Sequence, residues 1–297
     1  MSTTIDRVIF GDNQFFGINH MSQEKAREQA ARFSDLESIT GVYEAAIGDG
    51  IRAFMLNSND RAIGICDYFR AHRSSHPSLA WYPSIPYPHK YANLVAEKGI
   101  FPAIQSVLFG GSAIDALGMM KQMGSALLMR DELKMMHMLV DLELRAYSGL
   151  DVRAVFLQNV ITDLLLGLGF HAILADYCEH LRRVHRVMPG LITQNLPRLL
   201  AFLQLHGIRD VAVCASFNKI GYLMSPDVES YVSAARANDG ACYPVIAMST
   251  LASGAIPPQQ AYDFIGQQNV QSVVFGASLR SHIQQTLQQL KLAGFAR

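Results

Sequence analysis

Hydrophobic positions along this chain follow two alternating patterns. Short runs rich in β-branched residues, apolar nearly throughout, alternate with longer stretches whose apolar positions recur with helical period. Runs such as AVFL, VAVCA and PVIAM are typical of parallel strands, which are covered on both faces. The predicted strands are residues 7–10, 52–56, 79–83, 152–157, 191–194, 211–215, 244–248 and 272–275.

Helical stretches separate these strands, at residues 36–46, 62–71, 172–187, 197–206, 228–237, 259–268 and 282–292. Many are followed by glycine, which suits a helix end because it adopts the left-handed conformation without a Cβ clash. Eight strands, each followed by a helix, predict an α/β protein, and a (β/α)8 TIM barrel leaves no strand edge exposed. Such a barrel needs about 250 residues, so residues 1–297 are predicted to form one domain.

One interval between predicted strands is much longer than the others. Residues 87–150 follow the third strand and contain about three helical stretches, including the methionine-rich GMMKQMG and ELKMMHMLVDLEL. A helical insertion at this point lies on the catalytic face of a barrel, where such loops cap the site. It could serve as a lid or a dimer contact, or its methionines could be ordinary core packing.

Charge and composition exclude several classes of partner. Lys plus Arg equal Asp plus Glu at 25 each, so neither nucleic acid nor an anionic membrane is expected as the main partner. No apolar run reaches the roughly 18 residues of a membrane span, and the N-terminus lacks a signal-peptide pattern. The four cysteines lack CxxC spacing and are expected to be buried, reduced thiols. We therefore predict a cytoplasmic protein that acts on a small molecule, with a homo-oligomer left open.

The residues that follow the strands are the functional candidates, because active sites of this fold lie at the strand C-termini. Carboxamides dominate them, and Asn and Gln orient polar ligands by donating and accepting hydrogen bonds in fixed directions. Several could instead cap helix N-termini. The predicted substrate-binding residues are Asn13, Gln14, Asn57, Gln158, Asn159 and Gln194.

Two segments of small residues indicate phosphate binding. STLASG, residues 249–254, follows the seventh predicted strand, and GAS, residues 276–278, follows the eighth and opens the last helix. Small residues let the backbone approach an anion, and N–H groups at a helix start point at it. The loops after strands seven and eight are the usual phosphate site of this fold.

Several of these motifs resemble those of the aldo-keto reductases. GDNQFFG is similar to the family's Gly-x-x-Gln-Phe-Gly segment, and LITQN to its Gly-Val-Ser-Asn turn. CASFNKIG resembles Gln-x-x-Tyr-Asn, with Cys214 in place of the Gln. AMSTLASG is similar to Tyr-Ser-Pro-Leu-Ala-x-Gly, and GASLRSHIQQTLQQL to Gly-Ala-x-x-Pro-x-Gln-Leu. The set runs in order along the chain, except over residues 87–150.

The resemblance implies a nicotinamide cofactor, NADP or NAD. The cofactor-binding residues it implies are Asn195, Asn218, Ser249, Leu251, Ser253, Gly254, Gly276, Ala277, Ser278 and His282. The family's phosphate clamp is altered, with His282 in place of an Arg or Gln and Thr286 in place of an Asn.

The family's catalytic Asp, Tyr, Lys and His do not carry over. Their positions fall beside Met55, near Asp60, near Ser84 and on Gln158 or Asn159. Carbonyl reduction by the usual tetrad is therefore not expected.

Five other residues could carry catalysis: Asp12, Asp60, Lys219, Tyr87 and His89. Asp12 could be an acid or base, or only cap its turn, and Lys219 could form a Schiff base if burial lowered its pKa. Tyr87 or His89 could replace a missing acid. No metal site is predicted, because His20, His89 and Asp12 lack ligand spacing.

Three functions remain open at this stage. The first is an aldo-keto-reductase-like enzyme that acts on a small polar molecule by a non-standard mechanism, in one form as an NAD(P)-dependent oxidoreductase. The second is a cofactor-independent lyase or aldolase that uses Lys219 or Asp12. The third is a non-catalytic ligand-binding or regulatory protein that keeps the scaffold.

Overall fold

Parallel strands form one sheet in the computed structural model, which describes residues 4–16, 23–86 and 125–296. Within these residues the strands are β1 (Val8–Phe10), β2 (Ala53–Asn57), β3 (Ala80–Ile85), β4 (Asp151–Val152), β5 (Ala154–Leu157), β6 (Met188–Thr193), β7 (Ala212–Ser216), β8 (Val245–Met248) and β9 (Ser272–Phe275).

The sheet closes on itself. Strand β1 pairs with both β2 and β9, with Phe10 opposite Phe54 and Phe275, and β2 also pairs with β3. The two-residue β4 lies beside β3 and is separated by Arg153 alone from β5, so the predicted fourth strand is interrupted. The ring therefore has eight members, β1, β2, β3 and β5–β9. The predicted (β/α)8 barrel is confirmed.

Helices surround the ring: α1 (Gln23–Arg32), α2 (Leu36–Gly48), α3 (Ala62–Ala71), α4 (Ser125–Leu144), α5 (Asn159–Leu168), α6 (His171–His180), α7 (Leu196–Leu205), α8 (Val228–Ala237), α9 (Pro258–Gly266) and α10 (Arg280–Leu292). The predicted bounds of α3 and α8 are the observed ones. Side chains of Asp35, Asn195 and Asp227 accept backbone N–H groups at the starts of α2, α7 and α8. These N-caps replace hydrogen bonds that a helix start lacks.

One predicted helix is corrected. Residues 172–187 form α6 and then a π-helical turn, Leu181–His185, which ends at Arg186 with a φ of 58°. A π-helix inserts one extra residue per turn relative to an α-helix, so it rotates the side chains that follow. A simple helical periodicity does not show such an insertion.

Two apolar layers fill the molecule. Ala53 and Met55 of β2 face the barrel interior, whereas Phe54 and Leu56 face the helices, as the period of a strand requires. The interior is closely packed: a Cβ at Gly190 would lie 2.4 Å from the ring of Phe156. The barrel is thus a solid core, and ligands must bind at its ends.

The described part of the 87–150 interval is α4 with a following 3-10 turn, Arg145–Tyr147. Met136 of α4 is buried and packs in the core, whereas Met138 is exposed. Residues 87–124, with Tyr87, His89 and Lys90, lie outside the described residues, as does His20. A lid or dimer contact stays a prediction. Among the described helices, none has the length and apolar character needed to cross a membrane.

Candidate active site

A buried carboxyl group lies where β1 ends. Asp12 is 2% exposed and belongs to the turn that follows the strand. Its Oδ2 accepts the backbone N–H of Asn57 at 2.8 Å, and its Oδ1 accepts the Asn57 Nδ2 at 2.5 Å. Because neighbouring parallel strands end at the same rim, the last residue of β2 lies directly beside Asp12. Asn57 therefore holds both oxygens of the carboxyl group.

The hydrogen-bond network extends across two further strands. Gln158, which follows β5, donates its Nε2 to Asn57 Oδ1 at 2.5 Å and to Ser84 Oγ of β3 at 2.6 Å. Asn57 Nδ2 also approaches Asn13 Oδ1, at 3.3 Å. The amide groups donate in one direction, from Gln158 to Asn57 and from Asn57 to Asp12. We call Asp12, Asn57, Ser84 and Gln158 the rim network.

Burial sets the acidity of this network. Desolvation raises the pKa of Asp12 to about 7, although hydrogen bonds from the Asn57 backbone and side chain oppose the rise. A shift of roughly three units corresponds to about 4 kcal/mol of difference between the protonation states. A carboxyl group with a pKa near neutral pH can both release and take up a proton, which is the property of a general acid–base.

Two tyrosines lie close to Asp12 on the helix side. Burial raises the pKa of Tyr43 and of Tyr147 well above the ordinary value, and the charge of Asp12 raises both further. Tyr147 donates its hydroxyl to Leu56 O at 2.9 Å, whereas the Tyr43 hydroxyl lacks a partner among the described residues. A tyrosine that acts as an acid needs a lowered pKa. Neither Tyr43 nor Tyr147 therefore suits the role of the catalytic tyrosine that this sequence lacks.

Gln14 is held against the last strand. Its Nε2 donates to Gly11 O at 2.8 Å, and its buried Oε1 has no partner in the described part of the chain. A Cβ at Gly276 would lie 2.1 Å from this Oε1. Any residue other than glycine at position 276, the first of the predicted GAS phosphate segment, would therefore have to displace the side-chain amide of Gln14.

The loop after β8 has an unusual backbone. Ser249, Ala252 and Ser253 have φ values of 53°, 46° and 55°, and Gly254 has 91°. Left-handed conformations at non-glycine residues are costly and concentrate at functional sites. The N–H groups of Ala252 and Gly254 donate within the loop, to Ser249 O at 2.9 Å and to Leu251 O at 2.8 Å. The loop is therefore closed at these residues by its own backbone hydrogen bonds.

Side chains hold this loop in place. Ser216 Oγ donates to Ser249 Oγ at 3.3 Å, and the hydroxyls of Tyr222 and Ser253 lie 3.2 Å apart. Leu251 packs on a small apolar cluster that contains Ile256.

The start of α10 faces the same end of the barrel. Leu279 occupies the N-cap position and offers no side-chain hydrogen bond, so the helix dipole is not capped by a polar group. Ala277 is buried, Ser278 is half-buried, and His282 is exposed in the first turn. A nucleotide-phosphate site at the 249–254 loop and this helix start stays a prediction.

Two of the predicted cofactor-binding residues, Asn195 and Asn218, make hydrogen bonds within the fold. Asn195 Oδ1 accepts the Arg198 N–H at 3.2 Å and caps α7. Asn218 is fully buried, and it donates to Tyr222 O at 2.8 Å and accepts the Tyr222 N–H at 2.9 Å, so it shapes its own loop. Cys214 lies in the barrel interior, where burial raises the pKa of its thiol well above the ordinary value.

The remaining candidates lie outside the rim network. Lys219 is exposed and donates to Gln260 Oε1 at 2.6 Å, so it lacks the burial that a Schiff-base lysine needs. Asp60 is exposed, and Asn159 begins α5. The Gln194 N–H donates to Asp163 Oδ2 at 3.0 Å.

Sequence reasoning identified three members of the network and left Ser84 out of the predicted site, although Ser84 pairs with Asn57 near the end of β3. It also missed Asp163, whose Oδ1 accepts from Thr193 Oγ1 at 2.5 Å and whose pKa is raised by burial. Asp163 lies within α5, and Tyr43 within α2, so a search of strand ends passes over both.

Comparisons with known proteins concern the fold. No family model matches the sequence, and no curated protein is significantly similar to it. Among solved structures, a Pseudomonas aeruginosa protein assigned to the aldo-keto reductases superimposes with a TM-score of 0.59 at 13% identity, over 97% of this chain and 90% of its own. An aldo-keto reductase from a Medee basin deep-sea metagenome gives 0.53 at 10% identity, over 98% and 90%. At these identities the likeness establishes a shared barrel.

Proposed function

We propose that this protein is an oxidoreductase-like barrel enzyme that acts on a small polar molecule, with Asp12 as its general acid–base. The observation that carries the proposal is the buried Asp12 carboxyl group, held by Asn57 at the C-terminal rim and tuned by burial to a pKa of about 7. A group half protonated at neutral pH combines adequate acid strength with an adequate supply of protons. In this fold, that rim is where catalysis takes place.

The rim network keeps Asp12 in one orientation. Both oxygens of Asp12 accept hydrogen bonds from Asn57, and Gln158 fixes the amide of Asn57 in turn. Because Asn57 offers only donors to the carboxyl group, a proton on Asp12 has no acceptor within this pair. Such a proton is suited to be donated to a ligand oxygen. The carboxamides supply orientation, and the single carboxyl group supplies the titrating proton.

The proposed function includes a nicotinamide cofactor, NADP or NAD. The 249–254 loop and the first turn of α10, with Ser278 and His282, would hold its phosphates. The nicotinamide would supply a hydride when bound. The protein's own task is then to donate a proton to the oxygen of the substrate, and Asp12 is the group in the network that can hold it. Asn195 and Asn218 contribute through the loops that they shape.

The substrate class follows from the same rim. Amide side chains are neutral hydrogen-bonding partners, so they favour hydroxyl and carbonyl groups over isolated charges. We infer that the loop after β8, together with the uncapped start of α10, would add an anion site. A small polyhydroxylated aldehyde or ketone, with or without a phosphate, fits this combination.

The test combines cofactor binding with turnover. Isothermal titration with NADPH and NADH is followed by a rate assay on small hydroxy-aldehydes, hydroxy-ketones and their phosphates. Asp12→Asn keeps the size of the side chain but removes the titrating proton. Asp67→Asn, which removes an exposed carboxylate on α3, is the matched control. We expect saturable cofactor binding in all three proteins, and a rate at least about 100-fold lower in Asp12→Asn alone.

Three results would overturn the proposal or a part of it. If no cofactor binding is detected at millimolar concentration, the proposed oxidoreductase function is wrong. Cofactor binding without turnover on any compound of the panel favours a ligand-binding protein instead. Equal rates in Asp12→Asn and the native protein would remove Asp12 from the chemistry.

A further inference from the structure

A second cluster of polar side chains lies between α4 and the π-helical turn after α6. It consists of Asp141 on α4, His180 at the end of α6 and His185 at the end of the turn. The turn leads into the start of β6, and α4 leads through a short turn toward the start of β4. The cluster therefore lies at the N-terminal end of the strands, opposite the rim network, and it does not depend on the proposed function.

The three side chains converge on one point. His180 Nε2 and His185 Nε2 each lie 2.7 Å from the same oxygen of Asp141, its Oδ1. One ligand atom from each residue lies within 4.8 Å of the other two. Two imidazole nitrogens and a carboxylate oxygen are a donor set that Zn²⁺ accepts.

The π-helical turn produces this convergence. His180 and His185 are five residues apart, and in an α-helix of 3.6 residues per turn they would point about 140° apart. In a π-helix, hydrogen bonds join residues five apart, so the two side chains come to the same side. The inserted residue thus has a specific effect, which is to aim both imidazoles at Asp141. Such insertions often mark functional sites.

Burial and stacking fix the orientation of His180. His180 is 6% exposed, and its buried Nδ1 has no partner among the described residues. Its ring stacks on His137 at 3.9 Å, and His137 Nε2 lies 2.5 Å from Asp176 Oδ2. Stacking on one face of the ring therefore fixes the plane of His180. A side chain held this firmly suits metal coordination, which depends on fixed ligand orientation.

We propose that Asp141, His180 and His185 bind a zinc ion that ties α4 to the π-helical turn. Zn–N and Zn–O bonds of about 2.0–2.2 Å in a tetrahedron place the ligand atoms about 3.3 Å apart. The observed 2.7 Å contacts thus need to open by only about 0.6 Å. The partly exposed side chains of Asp141 and His185 leave the fourth position to water. The proposal goes against the sequence-based expectation of no metal site, since that expectation considered neither Asp141 nor the π-helical turn.

The test is titration of chelator-treated full-length protein with zinc sulfate near pH 7.5. We expect one site per chain, a higher Tm with zinc, and a proton release that varies with the buffer. His185→Gln and Asp141→Asn each remove a ligand from a partly exposed position and should weaken zinc binding by at least about 10–100-fold. His206→Ala is the matched control, because His206 stacks on His171 on a different surface.

Each outcome decides the proposal. Single-site binding that is lost in both ligand variants and kept in His206→Ala supports it. So does a tetrahedral absorption spectrum with Co²⁺ that both ligand variants abolish. The absence of saturable zinc binding overturns it, and so does binding whose affinity is unchanged in His185→Gln and Asp141→Asn. Because none of these measurements uses an enzymatic rate, their outcome does not depend on the proposed catalytic role of Asp12.

Discussion

The raised pKa of Asp12 makes the stability of this protein depend on pH in a defined direction. In the folded state the pKa is about 7, against an ordinary value of 3.8. Between these values the folded protein binds a proton that the unfolded chain has released. The stabilisation is thus complete below pH 3.8, declines as the pH rises, and is lost above pH 7.

The magnitude follows from the same two values. Roughly three pKa units correspond to at most about 4 kcal/mol, of which about 2–3 kcal/mol fall between pH 5 and pH 8. Asp12→Asn removes this titration. The variant also loses an acceptor for Asn57, which changes its stability by an amount that does not depend on pH. The informative quantity is therefore the slope of the free energy of unfolding against pH.

The assay is urea unfolding at a series of pH values from 5 to 8. Histidines and other groups titrate in this range in both proteins, so the difference between native protein and Asp12→Asn isolates the carboxyl group. We expect the free energy of unfolding of the native protein to fall relative to the variant by about 2–3 kcal/mol over this range. The free energy of unfolding of Asp67→Asn should depend on pH in the same way as that of the native protein. If Asp12→Asn also shows the same dependence, the assignment of a near-neutral pKa to Asp12 is refuted.

Three further predictions concern packing and capping. Gly190→Ala should lower the free energy of unfolding by about 1–3 kcal/mol, because its Cβ would lie 2.4 Å from the Phe156 ring, and an unchanged denaturation midpoint would contradict this. Gly41→Ala, on the exposed side of α2 with open space around it, should raise that free energy by roughly 0.5–1 kcal/mol. Asn195→Ala should lower it by about 1 kcal/mol through loss of the α7 cap, and we expect calorimetry to show an unchanged NADPH affinity. A large loss of affinity would instead support Asn195 as a cofactor contact.

Sequence periodicity predicted most of the fold for a physical reason. A strand covered on both faces must be apolar throughout, and that requirement made β5, β7 and β8 visible as AVFL, VAVCA and PVIAM. The π-helical turn after α6 left no such trace, because one inserted residue changes direction without changing composition. The break at Arg153 was missed for the same reason.

The site was predicted in part. Strand ends converge in a closed barrel, so Asp12, Asn57 and Gln158 could be placed at one rim from their positions alone. The pairing among them depends on side-chain direction, which periodicity does not give. The roles of Asn195 and Asn218 show the converse. Each matches a motif position, yet the structure uses each to satisfy backbone groups of its own turn.

The rim network also bears on how acidity is produced without the tetrad. A lysine or arginine beside an acid lowers its pKa through charge, which is how the family's tyrosine becomes a proton donor. The pKa of Asp12 has no such contribution: burial raises it, and neutral N–H donors from Asn57 and from the backbone of Asp12 oppose the rise. A carboxyl group starts from low pKa and needs desolvation to reach neutrality, whereas a tyrosine starts high and needs a cation. Under the proposed function, a rim lined by carboxamides therefore suits a carboxyl group rather than a phenol as the acid, and Asp12 is the carboxyl group with a raised pKa at that rim.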